Sequence, residues 1–188
     1  RCVERHWDWD GRRNGLDLAP NPRSVIFIEE IKISKSMRKI LKKDLFTVTF
    51  DKCFEEVICA CGDVRDETWI SEKFVETYTK LYDMGIAHSV EVWNGKRLVG
   101  GLYGLSLGKM FFGESMFSIE TNSSKIALIK LCEYLKEKDY YVVDCQVHNS
   151  HLESMGAREI ERSEFLKILE NKIKKKGKYS KWDIQDKK

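Results

Sequence analysis

The segment from Tyr140 to His148 carries the residues best suited to chemistry. It has the pattern of a β-strand in which an acid, Asp144, and an amide, Gln146, lie two positions apart. Because successive side chains of a strand point to opposite faces, Asp144, Gln146 and His148 are predicted to share one face of a sheet. A carboxylate beside a carboxamide can polarise the amide oxygen, which then accepts a proton from an incoming amine. The alternative is a polar pair at a strand end that bonds a neighbouring loop.

A second carboxylate, Glu114, interrupts the apolar and aromatic run from Phe111 to Ser118. The period of a strand places it on one face with Phe112 and Met116. One carboxylate among apolar side chains often marks a site for a cationic ligand, here a protonated amine. The alternative is a structural acid paired with Arg or Lys.

Clustered glycines and a loop tryptophan indicate where a ligand could approach. Glycines at positions 100, 101 and 104 weaken a strand and allow the close approach of a ligand or another backbone, or else mark a bulge. Trp69 lies in a predicted loop, where it would stack on a nucleotide base or fill the core. The sequence contains no Walker loop, dinucleotide fingerprint or recognisable Ser/Cys–His–Asp triad.

The basic residues are concentrated in two segments, although the net charge is only +3. Six basic residues and no acid lie between Lys32 and Lys43, and the segment 171–188 holds eight lysines against two aspartates. Such segments favour a localised face that binds a polyanion. Solvated helix faces and a soluble tail are the alternative.

The composition limits the class of protein. The 188 residues suffice for one domain with a substantial core, and 42% are hydrophobic and 34% charged. No apolar run approaches the ~18 residues of a membrane span, and no signal-peptide pattern opens the chain. The six cysteines show no Cys-x-x-Cys spacing and no histidine at zinc-ligand distance, so no metal site is expected. Reduced cysteines fit a cytoplasmic protein.

Periodicity and turn signals predict the elements that must position these residues. Strands are predicted at 24–28, 46–50, 88–93, 97–107, 109–117, 140–147 and 157–160. Helices are predicted over 34–43 and 51–61, from 71, over about 123–138, over 150–155 and from 163, with Ser34, Asp51, Ser71, Asn122 or Ser123, and Ser163 as N-caps. Asn94-Gly95 predicts a hairpin. This order indicates an α+β sheet with helices on both faces.

Several stretches, in order over about residues 20–170, resemble the leucyl/phenylalanyl-tRNA–protein transferases. The most specific are Phe112-Gly-Glu-Ser-Met-Phe-Ser118 and Asp144-Cys-Gln-Val-His-Asn149. The others are Pro20-Asn-Pro-Arg-Ser-Val25, Ile33-Ser-Lys-Ser-Met37, Thr68-Trp-Ile-Ser71, Ala87-His-Ser-Val-Glu-Val-Trp93, Leu98-Val-Gly-Gly-Leu-Tyr-Gly104, Ser124-Lys-Ile-Ala-Leu128 and Ser154-Met-Gly-Ala157. Gly-Glu-Ser-Met-Phe-Ser and Asp-Cys-Gln-Val are highly specific when they occur together, whereas either short string alone would not be.

The resemblance implies a fold like that of the GCN5-related acetyltransferases, a mixed, mainly antiparallel sheet with helices on both faces. It implies an enzyme that moves Leu or Phe from charged tRNA to the N-terminal amine of proteins beginning with Lys or Arg, in an N-degron pathway. This aminolysis needs no metal and no cofactor. The expected partners are aminoacyl-tRNA and an acceptor protein, and the enzyme is expected to be a monomer without membrane association.

The resemblance also implies roles for individual residues. Asp144 and Gln146 would be the catalytic pair, and Glu114 would lie in the substrate site. The pocket for the amino-acid side chain would be lined by Leu102, Phe111 and Met116, and Trp69 would lie near the tRNA 3′ end. The charge pattern adds a tRNA-binding helix that carries Lys35, Arg38, Lys39, Lys42 and Lys43.

We expect an irregular lead-in over 1–19, a transferase domain over 20–170 and a basic tail over 171–188. The N-terminal domain typical of the bacterial family, with its Gly-x-Phe-Pro-Trp segment, is not found in this sequence. Asn21 stands where the family usually has Asp, and His148 where it usually has Leu. A related group adds Leu to acidic N-termini, so an acidic acceptor is an alternative.

Two further functions compete with this prediction. An acyl-CoA N-acetyltransferase would hold pyrophosphate on a glycine-rich turn, but the corresponding segment 118–124 has no glycine and includes Glu120. A non-catalytic RNA-binding module could be built on the basic helix and tail. Burial of Asp144 or Gln146 away from any cleft would favour the module.

Overall fold

Seven strands form one sheet in the computed structural model, which describes residues 20–63, 71–174 and 180–182. The strands are β1 (Arg23–Phe27), β2 (Thr47–Phe50), β3 (Ala87–Asn94), β4 (Arg97–Leu107), β5 (Met110–Ser118), β6 (Val142–Gln146) and β7 (Arg158–Ile160). The helices are α1 (Lys35–Leu41), α2 (Phe54–Asp63), α3 (Glu72–Asp83), α4 (Ser123–Glu137), α5 (Ser150–Ser154) and α6 (Arg162–Ile173), with a 3₁₀ turn at Ile28–Glu30. Of the helices in these ranges, none has the length and apolar character needed to cross a bilayer.

The sheet is mainly antiparallel, as the sequence predicted. Its strand order is β2-β3-β4-β5-β6-β1-β7, and β5 and β6 form the one parallel pair among the described strands. Parallel neighbours need a crossover connection, which α4 provides. The centre of the sheet is therefore an antiparallel meander, β3-β4-β5, joined to a β-α-β unit.

Two successive glycines of β4 show that helices cover both faces. A Cβ atom at Gly100 would lie 2.2 Å from the Ser123 hydroxyl oxygen at the start of α4. A Cβ atom at Gly101 would lie 2.7 Å from a backbone oxygen of β3 and 3.6 Å from Val57 of α2. These glycines therefore allow the close approach of secondary-structure elements of the same chain, not of a ligand.

Short-range signals in the sequence specify several element boundaries. The Ser34 hydroxyl accepts a hydrogen bond from the Met37 N–H at 3.1 Å, and the Ser71 hydroxyl accepts one from the Phe74 N–H at 3.2 Å. Both serines are therefore the predicted N-caps. The hairpin of β3 and β4 turns at Gly95, which has a φ of 59°. The prediction of an Asn-Gly hairpin is confirmed.

Two predicted N-caps are wrong. Asp51 precedes α2, which starts only at Phe54, and its carboxylate accepts a hydrogen bond from the Ser89 N–H at 2.9 Å. The same carboxylate lies 2.8 Å from His88 Nδ1. Long-range partners on β3 therefore outcompete the local capping bond. Ser163 lies inside α6, whose N-cap residue is Glu161.

The segment predicted as a basic tail contributes to the core. Trp182 is only 6% exposed, and its ring stacks on His88 with centroids 3.8 Å apart and an interplanar angle of 5°. Its backbone N–H donates to Asp51 Oδ2 at 2.6 Å. Phe50, Phe111 and Tyr134 contact the same indole. A residue beyond the predicted domain end thus completes one side of the fold.

The packing of Trp182 predicts a large loss of stability on truncation. We expect Trp182→Ala to lower the free energy of unfolding by about 3–5 kcal/mol, because a buried aromatic side chain leaves a cavity. The matched control is Lys181→Ala, which removes a half-exposed side chain from the same segment. Chemical denaturation of both variants checks this, and equal midpoints would contradict the burial of Trp182.

Candidate active site

The candidate site lies where β5 and β6 separate. Their parallel pairing covers three positions and ends with Phe112 opposite Asp144. Beyond this point β5 continues to Ser118, whereas β6 ends at Gln146. The Gln146 side chain bridges the separating strands, because its Nε2 donates to the Gly113 carbonyl at 2.8 Å.

Gln146 adopts a backbone conformation that is unusual for a residue with a side chain. Its φ is 66°, in the left-handed region, which costs a non-glycine residue on the order of 1–3 kcal/mol. The Gln146 N–H donates to Asp144 Oδ1 at 3.0 Å and holds this turn. The strict alternation of the strand therefore ends at Gln146, and the predicted face shared with His148 is wrong. The His148 side chain is 52% exposed, and its Nε2 lies 3.8 Å from the Glu153 carboxylate.

Asp144 is fully buried and bound on both carboxylate oxygens. Arg23 Nε donates to Oδ1 at 2.9 Å, and an Arg23 terminal nitrogen donates to Oδ2 at 2.7 Å. Burial raises the pKa of Asp144, and the hydrogen bonds and charge of Arg23 oppose that rise. Asp144 contacts Gln146 through the backbone N–H. Asp144 therefore holds the backbone of Gln146, rather than polarising the Gln146 carboxamide as the sequence predicted.

Glu114 occupies a β-bulge beside this pair. Tyr103 pairs with Ser115 and Gly104 with Gly113, so Glu114 is the extra residue of β5. Burial raises the pKa of Glu114, while hydrogen bonds from the Tyr78 hydroxyl and the Gln146 amide lower it. The charge of Asp144 raises this pKa further. Glu114 is therefore a partly buried carboxylate held by neutral donors.

The bulge overturns one prediction about β5. Glu114 and Met116 were expected on the same face, but the extra residue shifts the alternation. Met116 packs in the core cluster that includes residues of α4, whereas Phe117 packs with residues of α2. The Glu114 partner Tyr78 packs against that second cluster. The carboxylate and Met116 therefore belong to opposite sides of the sheet.

The three predicted pocket residues lie in one cluster. Leu102, Phe111 and Met116 are all buried in the core on the α4 side of the sheet. Trp182 belongs to the same cluster and contacts Phe111, with the two ring centroids 5.9 Å apart. In this structure the three side chains are enclosed by other side chains and form part of the hydrophobic core.

The predicted nucleic-acid contacts are only partly described. Trp69 lies outside the described residues. The basic residues of α1 and the turn after it are exposed, and Met37 anchors the helix in the α4-side cluster. That the helix flanks the site remains a prediction. The exposed basic residues are Lys35, Arg38, Lys39, Lys42 and Lys43.

Sequence reasoning missed two residues of the site. Arg23 belongs to the Pro-Asn-Pro-Arg stretch, and its role as partner of Asp144 depends on a contact 121 positions along the chain. Tyr78 recurs at helical spacing with the apolar residues of α3, as expected for a core residue, and the contact of its hydroxyl with Glu114 leaves no local signal. Among the described residues, no group of three or more His, Cys, Asp or Glu side chains could hold a metal ion.

The geometry defines what this site can do. The Gln146 carboxamide is fixed because its nitrogen donates to the Gly113 carbonyl, and Glu114 lies within hydrogen-bonding reach of the same amide. A fixed amide oxygen and a carboxylate can together orient an amine. Neither is a nucleophile of the Ser or Cys type. The site is therefore suited to align an amine with an activated acyl group.

Comparison with known proteins assigns the family. Residues 25–170 match the family model described as leucyl/phenylalanyl-tRNA protein transferase. The protein of that name from Flavobacterium johnsoniae is 56% identical over 158 residues, covering 82% of this chain and 74% of the relative. The one from Syntrophobacter fumaroxidans is 49% identical, covering 82% and 68%. The one from Legionella pneumophila strain Corby is 48% identical, covering 88% and 76%. The chain belongs to the leucyl/phenylalanyl-tRNA–protein transferase family.

Proposed function

We propose that this chain transfers leucine or phenylalanine from charged tRNA to the N-terminal amine of a protein that begins with Lys or Arg. The observation that carries the proposal is Gln146, fixed at the separation of β5 and β6 beside the Glu114 carboxylate. The family assignment supports the donor class. Modification of this kind would create a destabilising N-terminal residue in an N-degron pathway.

The proposed reaction is the aminolysis of an ester. A C–N bond forms between the acceptor amine and the aminoacyl carbonyl carbon, the ester C–O bond breaks, and the tRNA ribose oxygen takes up a proton. The donor is already activated, so alignment supplies much of the acceleration. The Gln146 carboxamide oxygen orients the amine by accepting one of its hydrogen bonds. Glu114, whose pKa burial raises, is suited to receive a proton from that amine.

The burial of Asp144 defines its part in this reaction. Its carboxylate has no exposed surface, so it acts on the substrate through Gln146. The burial of Asp144, taken alone, would fit the alternative of a non-catalytic RNA-binding module. Gln146 is only partly buried and spans the strand separation, and strained backbone of this kind clusters at functional sites. These two facts favour the enzyme.

Electrostatics favours a basic acceptor over an acidic one. Glu114 and Asp144 place two acids near the Gln146 amide, against one guanidinium, Arg23, which is already bound to Asp144. A carboxylate at the first position of the acceptor would be repelled here, whereas Lys or Arg would be attracted. The acceptor in this proposal therefore begins with a basic residue.

The finer fold assignment is part of the proposal. An antiparallel meander, followed by a β-α-β crossover whose parallel strands separate, supports a sheet of the GCN5-related acetyltransferase type. Acyl-CoA chemistry is not favoured, because the turn before α4 contains Glu120, which hydrogen-bonds Asn94 and Arg97. A carboxylate at that turn opposes a pyrophosphate.

The remaining assignments follow from this proposed function. Residues 20–170 form the transferase domain, with 1–19 as a lead-in and 171–188 as a C-terminal extension that reaches the core through Trp182. The enzyme acts as a cytoplasmic monomer on aminoacyl-tRNA and the acceptor protein, without metal or cofactor.

Transfer assays test the function and the roles of its central residues. Leucyl- and phenylalanyl-tRNA are offered to peptides that start with Lys, Arg, Asp or Glu, and we expect transfer to the basic pair. Asp144→Ala and Gln146→Ala should each lower the rate by about 10²-fold, because positioning and proton handling typically contribute that much.

The exposed His148 provides the control for these variants. His148→Ala lies two residues from Gln146 and should keep the wild-type rate, because its side chain points to solvent. No transfer by the wild-type chain to any peptide would refute the proposed function. A folded Asp144/Gln146 double variant with near-normal turnover would refute only the roles of these two residues.

A methionine pair tests the side-chain pocket. Met116 lies in the α4-side cluster with Leu102, whereas Met110 is equally buried in a different cluster. The proposed pocket requires the α4-side cluster, which is closed in the structure, to open for the amino-acid side chain of the donor. Met116→Ala should then raise the rate with phenylalanyl-tRNA relative to leucyl-tRNA, on the scale of about 1–3 kcal/mol, because it enlarges the space for the ring. Met110→Ala should cost similar stability and leave the ratio unchanged. If both variants give the wild-type ratio of rates, the pocket assignment is wrong.

Charge neutralisation tests the basic helix. Lys35, Lys39 and Lys42 lie on one side of α1 and its extension, and all three are exposed. Replacing them with Gln should weaken binding of every cognate tRNA and flatten the salt dependence by about three units of slope, because three phosphate contacts are lost. Transfer from a short aminoacyl-adenosine donor should remain, since this donor has no stem to hold.

The control for this triple variant replaces exposed lysines elsewhere, at Lys96, Lys138 and Lys167. The control variant loses the same net charge as the α1 variant. A comparison of the salt dependence of their tRNA binding therefore separates the loss of local phosphate contacts from the loss of overall charge. If the α1 variant and the control lose affinity alike, tRNA is held by another surface. Equal losses with both donors would show that α1 supports the fold.

A further inference from the structure

We propose that Arg23 is a positioning residue for the transfer reaction: it fixes the Asp144 carboxylate, which in turn fixes the backbone and the side chain of Gln146. This inference rests on the proposed function, because it concerns the same reaction. It adds a residue of β1 to a site otherwise built from β5, β6 and α3.

The contact between Arg23 and Asp144 has the geometry of a positioning device. Two parallel N–H bonds of 2.9 and 2.7 Å join the planar guanidinium to the two carboxylate oxygens. Such a fork fixes the orientation of both groups, which a single lysine bond would not do. The guanidinium also lies over the Phe165 ring of α6, 5.1 Å from its centroid. Arg23 is 11% exposed, so solvent has little access to the pair.

The sheet reaches Gln146 only at its margin, where the pairing is irregular. Ser24 pairs with Gln146 and Val25 with Asp144, so the register of β1 against β6 shifts where the site begins. The parallel pairing with β5 has already ended at Asp144. At this irregular margin the Gln146 N–H donates to Asp144 Oδ1, and Arg23 Nε donates to the same oxygen and fixes its position.

The charge of Arg23, like its geometry, helps Asp144 to hold the Gln146 N–H. An ionised carboxylate is a stronger acceptor for the Gln146 N–H than a protonated one. Burial raises the pKa of Asp144, and the hydrogen bonds and charge of Arg23 oppose that rise, so the guanidinium favours the charged form of the acceptor. The other titratable groups that act on or adjoin Asp144 are Glu114 of β5 and the Cys145 thiol of β6. Both would favour protonation of Asp144 if ionised, which leaves Arg23 as the cation that opposes it among the described neighbours.

Arg158 offers a matched control on the neighbouring strand β7. Its guanidinium also lies over an aromatic ring, 4.3 Å from the Phe27 centroid, and it pairs with a carboxylate, Glu30, at 3.4 Å. Both partners are half-exposed. Arg158 therefore has the same two kinds of contact as Arg23 without a link to Gln146.

The test compares Arg23→Gln, Arg23→Lys and Arg158→Gln with the wild-type chain. Steady-state transfer from leucyl-tRNA to a peptide with an N-terminal Arg is measured between pH 5.5 and 9, with circular dichroism as the check of folding. We expect Arg23→Gln to lower kcat by about 10²-fold, because Gln146 is displaced from its working position. The KM for tRNA should change little, because the contacts with RNA stay in place. Arg158→Gln should match the wild type.

The pH profile separates positioning from simple structural support. Without the guanidinium the pKa of Asp144 rises further, so the loss of activity on the acidic side should begin at a higher pH in Arg23→Gln. Arg23→Lys keeps a charge but loses the fork. It should keep the wild-type acidic limb and recover only part of kcat.

Each outcome decides the proposal. A folded Arg23→Gln variant with the kcat and pH profile of the wild type would overturn it. So would complete recovery by Lys, which would mean that charge alone matters, or unfolding of both variants, which would make the pair a support of the fold. Failure of the wild-type chain to transfer would refute the proposed function instead.

Discussion

The parallel pairing of β5 and β6 over three positions is the constraint on which the site depends. Because the strands separate after Phe112 and Asp144, the Gly113 carbonyl loses its partner in the sheet. A buried carbonyl needs a hydrogen bond, and the Gln146 side chain supplies it. The bulge that carries Glu114 follows directly after the last residue of β5 that pairs with β6. A local end of hydrogen bonding thus brings an amide and two carboxylates together.

The buried charges near this separation are more easily explained by function than by stability. Replacing a buried ion pair with apolar side chains is often neutral or stabilising, so the Arg23–Asp144 pair is weak evidence of a contribution to folding. Gln146, with its left-handed backbone, adds a further cost. Costs concentrated at adjoining residues are expected where orientation has been selected at the expense of stability.

The sequence predicts elements better than it predicts the site. Local signals identify the strands, the Ser34 and Ser71 caps and the Asn-Gly hairpin, because the interactions that determine them span a few residues. Glu114 and Met116 are assigned to one face because a bulge depends on the partner strand and leaves no mark in the period of the strand itself. In the sequence Asp51 resembles a helix N-cap, but in the fold its carboxylate bonds His88 and Ser89 of β3. The residues of the site are recognisable, but their contacts, such as Arg23 with Asp144, arise only from the three-dimensional fold.

The place of Trp182 in the core has a consequence for biosynthesis. The indole packs against β2, β3, β5 and α4, all of which leave the ribosome before it does. A nascent chain translated as far as α6 would hold every strand of the sheet while the surface around His88 and Phe50 was still uncovered. Exposed apolar surface in such a species invites association with other chains. Closure of this side therefore waits until Trp182 has left the ribosome.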